Sequence, residues 1–247
     1  MASIKGVFFD LGGTLRIAEE VPEHQNRARD RMAELAGYDD PAAFLEMIEA
    51  RYKPYRDWAL GENKESGDYE LWAKWLLPEL PEERLRAICH EMTYQYRQVK
   101  GLRHVVEGGV EVIRTLRARG YKLGIISNLI GEQEIYDWLD ADGLAQYFDS
   151  VVLSSVCHIR KPDPEMYRMG CRELGLAPAE CASVADNLDR DITGAKAAGI
   201  GVNILFIRPE KLAKKTVTDA NRPDYIVHRF VDILDLPVLQ SGGCEHE

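Results

Sequence analysis

Apolar residues follow two different periods along the chain, and the change between them divides it into parts. Residues 4–9 are apolar almost throughout and end at Asp10; such a run indicates a strand buried on both faces, as in a parallel sheet. Residues 17–100 instead carry apolar positions at helical spacing opposite charged faces, which predicts roughly four helices and no strand. These helices are expected at 25–36, 41–52, 69–77 and 82–98.

Beyond residue 105, short apolar runs alternate with helical patterns. The runs lie at 122–126, 150–153, 182–185, 200–206 and 225–227, and the helical patterns between them at 110–119, 132–139, 164–174 and 191–198. Alternation of this kind predicts a parallel sheet with right-handed crossovers. The predicted fold class is α/β, a three-layer Rossmann-like parallel sheet core with an inserted all-helical domain.

This pattern sets the expected domain boundaries. We expect an α/β core at 1–16 and 101–240, a helical domain at 17–100 and a frayed tail at 241–247. The connections near 15–20 and 100–106 are expected to act as hinges between the two domains.

Composition narrows the partners and the compartment. The 247 residues carry a net charge of −10, which argues against nucleic acid as a partner because polyanion binding needs a basic face. No apolar run approaches the ~18 residues of a membrane span, and a strand begins too early to leave room for a signal peptide. Five cysteines without a CxxC pair indicate reduced thiols, and therefore a cytoplasmic protein. Either a monomer or a homodimer is expected.

Polar residues follow three of the predicted strands directly. They are Asp10, Ser127 and Asp186, and the carboxyl ends of parallel strands meet at one edge of a sheet. The Asp10 carboxylate could attack phosphorus or carbon, although an aspartate there could merely cap a turn. The Ser127 hydroxyl could bind an anionic oxygen, although a plain cap is again the simpler role.

Two further groups could complete a site. Lys161 is followed by Pro162 and precedes Pro164, and a stiff loop of this kind could hold an ammonium over a reacting centre. Asp186 and Asp191 could hold Mg²⁺ through oxygen, unless Asp191 only caps a helix.

Taken in order, these groups resemble the haloacid dehalogenase-like hydrolase superfamily, in its phosphatase-like subgroup. The matching motifs are FFDLGGTL at 8–15, IISN at 125–128, RKPDP at 160–164 and VADNLDRD at 184–191. The resemblance covers residues 1–206, with 17–100 similar to the first-type (C1) helical cap of that family.

The resemblance implies a role for each residue. Asp10 would be the nucleophile that forms an aspartyl-phosphate intermediate, and Ser127 and Lys161 would hold the transferred group, with Thr14 and Asn128 also contacting substrate. Mg²⁺ would be bound by Asp10, the backbone carbonyl of Gly12 and Asp186, while Asp191 would support Lys161. The implied substrate is a small, anionic phosphorylated metabolite.

Gly12 is the main departure from the family pattern, because phosphatases of this family usually carry a second aspartate there. The missing group is the general acid, and such assistance is typically worth about 10²–10⁴-fold in rate. Two alternatives therefore stay open: a metal-independent 2-haloacid dehalogenase or C–P bond hydrolase, and a weakly catalytic regulatory or binding member. The acidic pair Asp186 and Asp191 favours the Mg²⁺-dependent phosphatase.

Other candidate residues have simpler explanations. Aromatic side chains of the helical part are expected to form its core rather than a stacking surface; they are Tyr52, Tyr55, Trp58, Tyr69, Trp72 and Trp75. Among the histidines, His158 is the one that lies near Lys161 in sequence and could transfer a proton. The Cys-Glu-His run at 244–246 belongs to the predicted tail.

Overall fold

A six-stranded parallel sheet lies at the centre of the structure, a computed structural model that describes residues 3–240. The strands in that range are β1 (Gly6–Phe9), β2 (Arg16–Glu19), β3 (Leu102–Val105), β4 (Lys122–Ser127), β5 (Ser150–Leu153), β6 (Cys181–Ala185), β7 (Val202–Phe206) and β8 (Tyr225–Val227). The sheet order is β5-β4-β1-β6-β7-β8, and each neighbouring pair runs parallel. The predicted α/β class is confirmed.

Residues between β2 and β3 form a helical segment whose side chains, together with Ile130 from the loop after β4, make a separate hydrophobic cluster. Its helices are α1 (Pro22–Ala36), α2 (Pro41–Glu62), α3 (Asp68–Glu70), which continues as a π-helix over Leu71–Leu76, and α4 (Glu82–Val99). The predicted aromatic residues pack in or against this cluster, and Tyr55 and Trp72 are fully buried within it. They stabilise the segment by apolar burial, as expected.

The prediction of no strand within 17–100 is wrong at one end. β2 extends to Glu19 and pairs antiparallel with β3, so that Arg16 lies opposite Val105. Both strands have four residues and mixed polarity, so neither shows a periodic pattern. Each is held by hydrogen bonds to a partner strand far away in sequence. This two-stranded ribbon joins the helical segment to the sheet at both predicted hinges.

Helices cover both faces of the sheet. They are α5 (Gly109–Ala118), α6 (Glu134–Ala141), α7 (Ser154–Cys157), α8 (Pro164–Leu174), α9 (Thr193–Ala198) and α10 (Pro209–Leu212). Side chains alternate across β1, with Val7 and Phe9 facing the cluster that contains α5 and α6, and Phe8 facing the cluster that contains α8 and α9. Burial on both faces accounts for the continuous apolar run of β1.

The sequence also gives expectations about the C-terminal tail, the cysteines and membrane-spanning segments. The predicted tail and the Cys-Glu-His run lie outside the described residues. Four cysteines in the described range are free thiols: Cys89, Cys157, Cys171 and Cys181. Over residues 3–240, none of the helices combines the length and the apolar character that crossing a bilayer would require.

Candidate active site

The central position of β1 places Asp10 between two other predicted site residues. Phe9 lies in register with Ile125 of β4 and with Val184 of β6, so that the residues that end these strands reach the same edge of the sheet. The backbone N–H of Asp10 donates to the Val184 carbonyl at 3.0 Å. The structure therefore brings Asp10, Ser127 and Asp186 together at the carboxyl edge, where ligands bind in folds of this class.

Lys161 lies between two buried carboxylates. Its Nζ is 2.7 Å from Oδ1 of Asp10 and 2.6 Å from Oδ1 of Asp191, and it also donates to the Ile126 carbonyl at 2.9 Å. All three side chains are at least 95% buried, and such a charge pair is costly to break because the remaining charge stays unpaired. Three acceptors fix the three N–H groups of the ammonium beside Asp10.

Polar side chains of the neighbouring motifs surround this pair. The Ser127 hydroxyl lies 3.5 Å from Oδ1 of Asp10, and the Thr14 hydroxyl 3.3 Å from Oδ2. The Asn128 amide spans the Lys161 backbone, accepting from its N–H at 2.8 Å and donating to its carbonyl at 2.9 Å. Asn128 therefore anchors the loop that carries Lys161.

Asp186 completes a group of three carboxylates that fits a hard cation. Oxygens of Asp10, Asp186 and Asp191 lie within 4.8 Å of one another, and a set of oxygen donors is what Mg²⁺ prefers. The turn after Asp10 runs against this group: a Cβ on Gly13, whose φ is +83°, would lie 2.4 Å from Oδ2 of Asp186. Glycine is needed there both for the backbone conformation and for the close approach.

Gly12, by contrast, faces open space. A Cβ built on Gly12 meets no heavy atom within 4 Å, and its φ lies outside the left-handed range. The backbone therefore accommodates a side chain at this position. The first atom of a second aspartate would therefore meet no other described residue there.

Arg190 is a member of this cluster that the sequence reasoning did not single out. Its guanidinium Nη2 lies 2.9 Å from Asp191, 3.5 Å from Asp186 and 3.9 Å from Asp10. Its place between Asp186 and Asp191 in the last motif was the available signal, since both neighbouring acids were expected at the site.

Charge repulsion and neutralisation shape the titration of these groups. Burial, reinforced by the nearby charges of Asp10 and Asp191, raises the pKa of Asp186 to about 6. Burial also opposes ionisation of Asp191, but the ammonium of Lys161 and the guanidinium of Arg190 outweigh it and lower the pKa of Asp191. The three carboxylates therefore carry one more charge than Lys161 and Arg190 neutralise, and this excess negative charge lies at Asp186.

His158 points toward the helical segment. Its Nδ1 lies 3.2 Å from the Glu65 carbonyl, and its backbone has a positive φ of 61°. The ring therefore links the two parts of the chain, and this position gives no support to the proton-transfer hypothesis.

Comparison with known proteins identifies the family. Residues 4–199 match the haloacid dehalogenase-like hydrolases. The chain belongs to this hydrolase family. The resemblance inferred from the four motifs is confirmed, and the hydrolase carries these motifs on the sheet edge described above.

Several relatives of the hydrolase have a named activity. It is 25% identical to a glyceraldehyde 3-phosphate phosphatase of Methanopyrus kandleri, over 94% of this chain and 97% of the relative. Among solved structures, a phosphatase from Thermococcus onnurineus superposes with a TM-score of 0.58 at 24% identity, over 94% and 97% of the two chains. A 2-haloacid dehalogenase from Pseudomonas syringae gives the same TM-score at 20% identity, over 96% and 98%. The fold alone is therefore shared by both reaction classes.

Arg190 should compete with a divalent cation for the carboxylates. We expect Arg190→Gln to tighten Mg²⁺ binding by about tenfold, because it removes a positive charge that lies within 4 Å of all three acids. Isothermal titration of Mg²⁺ into the purified protein measures this affinity. Arg168→Gln, which alters an exposed arginine on α8, is the control and should leave the affinity unchanged; equal or weaker binding in Arg190→Gln would show that the guanidinium does not compete.

Asp186 should cost stability when no cation is bound. Its pKa is raised, so its ionised form is disfavoured in the folded protein at neutral pH, and this cost disappears as pH falls below the unfolded value of about 3.9. We expect Asp186→Asn to increase the free energy of unfolding by about 1–2 kcal/mol at pH 7 with chelator, after allowance for solvent screening.

Urea denaturation with and without Mg²⁺ checks this expectation. The native chain should gain stability on addition of Mg²⁺ and the Asp186→Asn variant should gain much less, because its amide oxygen is a neutral and weaker ligand than a carboxylate. Asp219→Asn, at a fully exposed acid, serves as the control. A destabilised Asp186→Asn variant in chelator would contradict the assignment of repulsion among the three acids.

Proposed function

We propose that the chain is a Mg²⁺-dependent phosphatase that removes a phosphoryl group from a small phosphorylated metabolite through an aspartyl-phosphate on Asp10. One observation carries the proposal. The buried Asp10 carboxylate is fixed by Lys161 at the end of the central strand β1. A second carboxylate, that of Asp186, lies close enough to Asp10 for both to bind one metal ion. The phosphatase names of several relatives support the same reaction class.

The chemistry assigned to Asp10 has two steps. In the first, a carboxylate oxygen attacks phosphorus and the P–O bond to the leaving group breaks. The leaving oxygen departs as an anion and takes a proton from solvent. In the second, water attacks the same phosphorus, the bond to Asp10 breaks, and inorganic phosphate leaves with the proton of water transferred to solvent. Lys161 and Ser127 offset the charge that develops beside Asp10, which is the main task in phosphoryl transfer.

Asp10 and Asp186 would hold the cation, because both oxygens of Asp191 are engaged, Oδ1 by Lys161 at 2.6 Å and Oδ2 by Arg190 at 2.9 Å. Oδ2 of Asp10, by contrast, lies 3.9 Å from Arg190. When bound, Mg²⁺ supplies positive charge against the phosphoryl oxygens. The Gly12 carbonyl lies on the turn that passes against Asp186 and is the expected third ligand.

The absence of an acid at position 12 predicts a preference for leaving groups that need no proton. The experiment is the release of p-nitrophenol from p-nitrophenyl phosphate with and without Mg²⁺. Turnover that requires Mg²⁺ supports the proposal. If the pure protein releases no p-nitrophenol from this activated ester at any Mg²⁺ concentration, the proposal is overturned and the binding-protein alternative is favoured.

A dehalogenase is the second candidate, and Gly12 is the observation that favours it, because a halide leaves without protonation. The acidic group formed by Asp186 and Asp191 argues against it, since dehalogenases of this family work without metal. Release of chloride from 2-chloropropionate in the presence of chelator, without phosphate release from any ester, would select the dehalogenase.

We also propose that the helical segment is a cap that opens and closes over Asp10. Within residues 3–240, its hydrophobic cluster draws on the sheet part only through Ile130, and the segment is joined to the sheet by the β2–β3 ribbon, so a rotation at the ribbon would disturb that cluster at this one contact. We expect crystals grown with and without a phosphate mimic to differ in the angle between the segment and the sheet; the same angle in both would contradict closure.

A further inference from the structure

A cavity of about 180 Å³ lies between the helical segment and the sheet, and it is strongly basic. Two tyrosine rings, Tyr52 and Tyr96, form part of its wall. Four of the lining side chains are cationic, and together they define what we call the cationic pocket: Arg97, Lys100, Arg103 and Arg160. The cavity is small beside the ~300–1,000 Å³ of sites for drug-sized ligands, so it suits part of a small metabolite.

The cationic pocket adjoins the proposed catalytic residues. Asn128, which also lines it, directly follows Ser127, and Arg160 directly precedes Lys161. Consecutive Cα atoms are ~3.8 Å apart, so the pocket begins one residue from two groups that surround Asp10. A leaving group that extends from a phosphoryl group at Asp10 toward the helical segment would therefore enter this cavity.

Carboxylates neutralise the pocket only in part. Arg97 pairs with Glu134, Lys100 with Glu49 and Arg160 with Glu65, and Glu134 is shared with Arg16, 3.4 Å away. Arg103 donates to the carbonyls of Arg97 and Gly101, and within residues 3–240 no carboxylate forms an ion pair with it. Burial, together with the charge of Arg97, lowers the pKa of Arg103 to about 10.

This local excess of positive charge opposes the charge of the molecule as a whole. The chain carries a net charge of −10, so a general surplus of basic residues does not explain why arginines cluster in this cavity. A guanidinium that is partly desolvated and lacks an acidic partner gains most from an anionic ligand, because charge-assisted hydrogen bonds strengthen as water is excluded.

We propose that the cationic pocket binds a second anionic group on the leaving-group side of the substrate, so that the substrate is a short phosphate ester that also carries a carboxylate or a second phosphate. Arg103 is the residue that contacts this group and determines specificity. The inference rests on the proposed function for the position of the phosphoryl group, and it excludes neutral sugars and alcohols as preferred leaving groups.

Three phosphonates of matched length test the pocket without requiring turnover. They are propylphosphonate, 3-phosphonopropionate and ethane-1,2-diphosphonate, which end in a methyl group, a carboxylate and a second phosphonate. Isothermal titration in the presence of Mg²⁺ should show that one or both of the doubly anionic probes bind at least about tenfold more tightly than propylphosphonate. Comparison of these two with each other tells a carboxylate substrate from a bisphosphate.

Arg103→Gln provides the specificity test. In this variant the preference for the doubly anionic probe should fall by about tenfold or more, while propylphosphonate should bind within about twofold of its original affinity. Arg119→Gln is a matched control, because Arg119 is also partly buried and, within residues 3–240, donates to carbonyls alone, those of Leu234 and Leu239. It should leave all three affinities unchanged.

The outcomes separate this inference from the proposed function. Equal affinity for all three probes, or an unchanged preference in Arg103→Gln, overturns the cationic pocket as an anion site whether or not the protein is a phosphatase. A preference that depends on Arg103 in a protein that hydrolyses no phosphate ester upholds the pocket and overturns the phosphatase. The enzymatic counterpart, a higher kcat/KM for phosphoglycolate than for ethyl phosphate, should be lost in Arg103→Gln through KM.

Discussion

Asp10→Asn is expected to reduce the turnover of p-nitrophenyl phosphate by about 10⁴-fold or more, the loss that follows removal of a covalent nucleophile. An amide oxygen cannot form the acyl phosphate, and the amide carries no charge to pair with Lys161. Initial rates of p-nitrophenol release with saturating Mg²⁺ measure the effect. A residual rate within about tenfold of the native rate would show that Asp10 is not the nucleophile.

Two controls separate this loss from unfolding. Asp189→Asn changes an exposed acid of the same loop that contacts Asn221 rather than the carboxylate cluster, and it should keep a rate within about twofold of native, since surface changes of this kind have small effects. Asp10→Asn should also retain the circular dichroism spectrum and a cooperative urea transition. It keeps the size of the side chain in a site where Lys161 still pairs with Asp191.

Gly12→Asp is expected to raise the steady-state rate on an alkyl phosphate such as ethyl phosphate by about 10²–10⁴-fold. The added carboxyl supplies the proton that the alkoxide needs and afterwards activates water. The structure has room for it, because a Cβ on Gly12 contacts no heavy atom within 4 Å. The steady-state rate on p-nitrophenyl phosphate should rise only through faster hydrolysis of the intermediate, since that leaving group departs as a stable anion and its first step gains nothing from the acid.

Gly12→Asn is the matched control for this gain. It adds the same volume without an acid, so it should leave the rate on ethyl phosphate near the native value. An equal rise in the Asn variant would show that the effect comes from backbone restriction and not from proton transfer.

Gly13→Ala should instead impair Mg²⁺ binding, because its Cβ would lie 2.4 Å from Asp186.

The lack of an acid at position 12 also predicts the time course of p-nitrophenol release by the native chain. Without an acid or base at position 12, the first step with p-nitrophenyl phosphate should be faster than hydrolysis of the intermediate. A burst of p-nitrophenol equal to the enzyme concentration should therefore precede a slow steady state, as in other covalent mechanisms.

Sequence pattern located the edge of the sheet where the site lies. An apolar run that ends in Asp10 and similar runs that end before Ser127 and Asp186 predict three polar residues at one edge, because parallel strands share their direction. The order of the strands does not follow from the runs, so the central position of β1 could be known only from the resemblance or the structure.

The β2–β3 ribbon, the cationic pocket and the contacts of Arg190 all depend on residues that are not connected by a pattern along the chain. The β2–β3 ribbon was missed because its strands are short and polar and are stabilised by each other. The cationic pocket combines Arg103 from β3 with Arg160 from a loop after α7 and Arg97 from α4, and no spacing along the chain connects them. Arg190 was visible in the motif, but its contact with three carboxylates depends on the turn that follows β6.

Mass spectrometry of the acid-quenched enzyme tests whether Asp10 is phosphorylated during turnover. The native chain is mixed with p-nitrophenyl phosphate and Mg²⁺, quenched in acid within the first turnover, and digested at low pH. The account predicts that the peptide carrying Asp10 gains the mass of one HPO₃ unit, that fragmentation places it on Asp10, and that the gain disappears after the substrate is consumed. Release of p-nitrophenol with an unmodified Asp10 peptide at every time during the reaction would contradict it.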